Sequence, residues 1–75
     1  MTEELGIEAL KAGDYKSAIS YFEAAVKIDP DNGAIRYHLA QALRHDGREG
    51  DAIIEATEAL ARDPAHNEAA RLLTY

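Results

Sequence analysis

The chain contains no cysteine. A disulfide framework and thiolate metal sites are thereby excluded together, and whatever fold forms must hold by packing alone. Basic residues are scarce as well: 8 Lys and Arg stand against 14 Asp and Glu, a net charge of −6. Such a field repels nucleic acid and anionic lipid, so neither is expected as a partner. There is no long apolar run, and the opening "MTEELG" is acidic where a signal peptide would be basic, so neither a membrane span nor a leader is expected. These absences point to a soluble, cytoplasmic chain. Its 75 residues suffice for a single domain, 1–75, and a lone core of that size rarely supplies more than about 3–5 kcal/mol.

Prolines are few too: Pro30 and Pro64, each preceded by an aspartate. Proline has no N–H to donate and biases the residue before it away from the α region, so each Asp-Pro stops a helix. Ahead of the first stop, Ala18, Ile19, Phe22, Ala25 and Val26 recur at steps of three and four, one stripe of a helix. Asp14 stands where the N-cap of that helix belongs, and Gly13 stands where an upstream helix needs positive φ to end. The upstream helix is expected over about 3–12, with Thr2 as its cap and Leu5, Gly6, Ala9 and Leu10 facing inward. Beyond Pro30, Asp31 and Asn32 can cap a third helix over about 34–45, whose inward stripe is Ile35, Leu39, Ala40 and Leu43. Gly47 closes it, and a fourth helix carries Ala52, Ile53, Ala56, Ala59 and Leu60.

Those last five positions are Ala18, Ile19, Phe22, Ala25 and Val26 shifted by 34. Leu5 and Leu39, Gly13 and Gly47, Asp29 and Asp63, and Pro30 and Pro64 keep the same offset, so the copied unit is a whole helical hairpin. Repeat 1 covers about 1–32 and repeat 2 about 33–66, while "NEAARLLTY", about 67–75, begins a third copy. Ala18, Ala25, Ala52 and Ala59 are expected where helix backbones approach closely, positions where a larger side chain overpacks by about 1–3 kcal/mol. Gly50, near the start of the fourth helix, costs roughly 0.5–1 kcal/mol relative to alanine if helical.

The residues resemble a tetratricopeptide repeat (TPR), a helix–turn–helix of 34 residues with the pattern W-x2-L-G-x2-Y, then A-x3-F, then P. Leu5-Gly6, Ala18-x3-Phe22 and Pro30 match in the first unit. Leu39, Ala52 and Pro64 match in the second, where Ala40 replaces the glycine and Ala56 the phenylalanine. The tryptophan position holds Thr2 and then Arg36, and the first tyrosine position holds Ala9 and then Leu43. The resemblance implies an all-α fold of antiparallel helix-turn-helix repeats stacked as a short right-handed superhelix, two TPR units plus a C-terminal capping helix, five helices in all.

It also implies a concave face, lined by the first helix of each pair, that receives a protein or peptide partner. The matching positions are Glu3, Ile7, Leu10 and Lys11, then Tyr37, His38, Gln41, Arg44 and His45, then Arg71. Tyrosine and arginine are residue types that tend to dominate binding energy. Some TPR domains grip a C-terminal carboxylate with Lys, Asn and Arg. The corresponding positions here, Glu3, Ile7, His38, Glu68 and Leu72, cannot form that clamp. Arg36, Arg44, Arg48 and Arg71 leave a local preference for acidic segments.

No catalytic constellation emerges. Ser17 and Ser20 have no histidine nearby in sequence, and Glu3-Glu4 sits in a first helical turn, where the macrodipole favours carboxylates. His38 and His45 share a helix face but stand about 10 Å apart along its axis, too far for one metal to take both. Gly13 and Gly47 follow helices, whereas phosphate-cradling glycines precede them. Tyr15, Tyr21 and Phe22 read as interior packing rather than a platform for stacking bases. No enzyme activity, cofactor or metal is expected. The rival to a binding module is a homo-oligomer formed through the open side of the last helix, bearing Leu72, Leu73 and Tyr75. A third reading is a piece of a longer TPR protein.

Overall fold

The computed structural model describes residues 2–62. It contains α1 (Thr2–Lys11), α2 (Tyr15–Ile28), α3 (Gly33–His45) and α4 (Glu49–Arg62), with no strand among the described residues. The expected fifth helix, with Arg71, Leu72, Leu73 and Tyr75, lies outside the described residues.

Gly13 and Gly47 adopt φ of 81° and 85°. The same pair of hydrogen bonds closes each preceding helix. After α1, Gly13 N–H donates to the Leu10 carbonyl at 3.1 Å and Asp14 N–H to that of Ala9 at 2.9 Å; after α3, Gly47 donates to Arg44 at 3.0 Å and Arg48 to Leu43 at 2.8 Å. This is the Schellman arrangement, which turns the chain back and satisfies carbonyls that the helix leaves unpaired.

The helix starts follow the sequence with two adjustments. Asp14 Oδ1 accepts from Ser17 N–H at 3.3 Å, as expected of a cap. At α3 the cap is Asn32 alone, its Oδ1 accepting from Ala34 N–H at 3.0 Å and Ile35 N–H at 3.3 Å. Asp31 does not cap; its carboxylate lies 3.8 Å from Arg62. Thr2 falls within α1 rather than before it. Replacing Asn32 by alanine is expected to cost about 0.5–2 kcal/mol in a urea melt, whereas Asn32→Ser retains most of the cap.

Each helix packs on the next, and α1 also touches α3. The result is two layers, α1 with α3 and α2 with α4, the usual way for one-sided apolar helices to cover one another. Ala18, Ile19, Phe22, Leu39, Ala42, Leu43 and Ala52 form the main core cluster, flanked by half-buried Ile7, Ala9, Leu10 and Val26. The recurrent Ala18, Ala25, Ala52 and Ala59 are all buried. Phe22 is fully buried, and its ring lies so close to α1 that a Cβ built on Gly6 would stand 2.6 Å from Cε1. Glycine in α1 is thus the socket for the phenylalanine of α2. Unit 2 has Ala40 and Ala56 at those positions, both buried.

Two inward assignments fail, at opposite ends of the described stack. Leu5 is 47% exposed where its copy Leu39 is 4%, and Ile53 is 52% exposed where its copy Ile19 is 5%. Ile19 and Leu39 belong to the α2–α3 seam between units, whereas Leu5 and Ile53 lie on α1 and α4, the first and last of the described helices. Two further differences are smaller. Ala42, which stands three residues beyond Leu39 on the same helix, is buried although it was not on the expected stripe, and Tyr21 is exposed rather than interior.

Candidate partner-binding face

The first helices of the two units meet on one side of the molecule, where Glu3 Oε2 of α1 lies 4.0 Å from His38 Nε2 of α3. The His38 ring stacks on Phe22, centroids 5.6 Å apart and planes 19° from parallel, and Tyr37 tilts against it at 5.6 Å. His45 stacks on Tyr15 at 5.0 Å and 14°. Because α2 and α3 run antiparallel, Tyr15–His45 and Phe22–His38 are two rungs of one ladder. Tyr15 therefore belongs to that seam and not to a cluster with Tyr21 and Phe22.

This geometry redistributes the residues expected to meet a partner. His38 and His45 each commit one ring face to α2, which leaves less of each ring for a partner, although His45 remains exposed. Ile7 and Leu10 are half-buried against the core and serve the fold first. Lys11 is exposed, and Tyr37, Gln41 and Arg44 are half-buried on α3. Arg71 lies outside the described residues.

The arginines also behave differently from expectation. Arg36 Nη1 pairs with Glu55 Oε1 at 3.2 Å while its Nε donates to the Pro30 carbonyl at 3.1 Å. Arg62 Nε donates to that same carbonyl at 2.9 Å, and its Nη1 pairs with Glu58. Arg48 pairs with Asp51 at 3.1 Å. Arg36 and Arg48 thus spend their charge within the fold rather than offering it to an acidic segment. Two guanidinium groups, from α3 and α4, strap the turn that joins the units. Sequence reasoning missed this strap because Arg62 and Pro30 are 32 residues apart.

On the opposite side, α2 and α4 bound a groove of about 350 Å³ lined by Glu23, Val26, Lys27, Leu39 and Glu55. A second hollow beside it, of about 200 Å³, adds Leu43, Arg48, Asp51 and Ile54. Ile54 is exposed there, whereas the floor residues Leu39 and Leu43 are already buried. Among the described residues no group of three His, Asp or Glu side chains is placed to hold a metal ion, and no helix is long and apolar enough to cross a membrane.

A family model described as "Tetratricopeptide repeat" matches residues 3–67, nearly the whole chain. The chain belongs to the tetratricopeptide repeat family. Two curated relatives from Arabidopsis thaliana extend the comparison. The inactive TPR repeat-containing thioredoxin TTL3 is 33% identical over 67 residues, which make up 89% of this chain and 10% of that protein. The TPR repeat-containing thioredoxin TTL4 is 34% identical over 59 residues, 79% of this chain and 9% of that protein. This TPR chain therefore spans about a tenth of the length of the curated relatives it matches. Within the TPR pattern, Gly6 and Phe22 are the small and large members of one contact, and Arg36 occupies the tryptophan position as a strap rather than as core.

Proposed function

We propose that this TPR chain is a non-catalytic, cytoplasmic protein-interaction module that receives a peptide or protein segment on the face formed by α1 and α3. The observation that carries this reading is the 4.0 Å approach of Glu3 to His38, which makes the first helices of both units one continuous surface. Tyr37, Gln41 and Arg44 sit half-buried on that surface, amphipathic or charged and held on a rigid helix. In this reading the units stack as a right-handed superhelix and 67–75 adds a fifth, capping helix. The 75 residues contain no cysteine, so they hold no dithiol of the kind the relatives' thioredoxin names imply.

Peptides selected from a display library against the chain supply the test. Tyr37→Ala combined with Arg44→Ala is expected to weaken their binding by about 2 kcal/mol or more, the scale of interface hot spots. Glu23→Ala combined with Ile54→Ser, on the α2/α4 side, is expected to leave it unchanged. The reverse pattern would move the site to the groove. A second reading rests on the exposed Leu5 and Ile53. They suit a neighbouring TPR unit of a longer array, or a second copy held through Leu72, Leu73 and Tyr75. Sedimentation across a concentration series separates them, since only the second copy makes mass depend on concentration.

A further inference from the structure

The turn between the two units reads Asp29-Pro30-Asp31-Asn32-Gly33, which places an Asn-Gly bond at the first residue of α3. Asn-Gly is the most reactive setting for an asparagine amide, because glycine brings no side chain to shield its nitrogen and leaves the backbone free to close a ring. We propose that Asn32–Gly33 is a site of spontaneous deamidation and isomerisation whose rate is gated by the N-cap of α3. The Gly33 backbone nitrogen gives its proton to solvent base and attacks Asn32 Cγ. The N–Cγ bond forms, the Cγ–Nδ2 bond breaks and ammonia leaves, giving a cyclic imide. Water then adds to one of the two imide carbonyls. Opening on one side leaves an ordinary carboxylate at position 32; opening on the other leaves an isoaspartyl linkage with one more main-chain methylene.

The structure supplies both the reactive group and its lock. As first residue of α3, Gly33 has a backbone N–H with no partner within the helix, and the residue is buried, so solvent base reaches it only when the turn opens. The target amide is pinned: Oδ1 takes the Ala34 and Ile35 N–H groups at 3.0 and 3.3 Å, and Nδ2 donates to Asp29 Oδ2 at 3.3 Å. With Asn32 ψ at 101°, ring closure requires the Gly33 nitrogen to swing toward Cγ, which breaks these bonds. The reaction therefore runs only when the first turn of α3 opens. Opening is resisted by the Arg36 and Arg62 N–H groups on the Pro30 carbonyl, so the strap of the turn also protects the amide. Asn67, near the corresponding turn one repeat later in sequence, is followed by Glu68 rather than glycine and serves as an internal control.

The product matters because of where it forms. A carboxylate at position 32 still caps a helix and suits its N-terminus, but it can no longer donate to Asp29 and meets Asp29 and Asp31 as like charges. The isoaspartyl form lengthens the only covalent link between the units and shifts α3 against α2. Either change is one-way and alters how the α1 and α3 faces align.

The test incubates the full chain in mildly alkaline buffer, folded and in guanidinium, and maps peptides by mass spectrometry. Conversion is expected at Asn32 in the folded chain, more slowly than in denaturant, with Asn67 remaining an amide over the same interval. Arg62→Ala is expected to speed the folded-state reaction, and its melt, recorded alongside, separates local opening from global unfolding. Asn32→Ser, which keeps a capping oxygen, is expected to abolish the modification while the chain stays folded. An Asn32 that stays intact in the folded chain while the denatured chain converts would overturn the proposal. So would Asn67 converting as fast as Asn32, or Arg62→Ala leaving the rate unchanged.

Discussion

Phe22→Ala is expected to lower the unfolding free energy by about 3–5 kcal/mol, the range for emptying a buried aromatic site. The ring is fully buried, stacks on His38 and fills the hollow above Gly6. It is also the only phenylalanine in the chain, so no other residue of its kind shares the load. A core of this size supplies a total of about the same magnitude, so the variant is expected to be largely unfolded at room temperature, with helical circular dichroism lost rather than merely shifted in its melting point. A variant melting with the parent would place Phe22 outside the interior.

Gly6→Ala is the second large effect, and its sign is contested by two terms. Alanine favours a helix over glycine by about 1 kcal/mol. Against this, the added Cβ would stand 2.6 to 2.8 Å from three ring atoms of Phe22, closer than carbon atoms pack, and the ring is fully buried, so it has little room to give way. Overpacking of this kind costs about 1–3 kcal/mol, so net destabilisation is expected. In the double variant Gly6→Ala with Phe22→Ala the clash disappears with the ring, so the two costs should sum to more than the measured one. The chain already contains that exchange, since unit 2 places Ala40 and Ala56 at the corresponding positions. Strict additivity in a urea-denaturation cycle would mean that the Cβ finds room.

Much of this architecture was legible before any coordinates. Gly13 and Gly47 were readable as left-handed helix ends because only glycine adopts that conformation without strain, and both do so in the same hydrogen-bonding pattern. The stripe from Ala18 to Val26 was readable because helical periodicity and burial coincide wherever a neighbour covers the helix. Leu5 and Ile53 mark where that inference stops. Their sequence context matches that of Leu39 and Ile19, yet they are exposed, because exposure depends on what lies beside a unit and not on the unit.

The candidate face was less legible than the fold. Spacing placed His38 and His45 on one side of α3, but spacing says nothing about the other helix, and the antiparallel register of α2 aims Phe22 and Tyr15 at them. Likewise Arg36 was countable as a charge but not as the partner of Glu55, 19 residues away.

By itself, the sequence determined the four described helices, the glycine turns after α1 and α3, the 34-residue repeat and the family, because each of these rests on local conformational preference and on periodicity along one chain. Only the tertiary structure decided which stripe residues are covered, which rings stack and which arginines are already spent on the Pro30 turn. Those outcomes depend largely on contacts between residues 16 to 32 positions apart, as in the Phe22–His38, Arg36–Glu55 and Arg62–Pro30 pairs, where no local pattern records the partner.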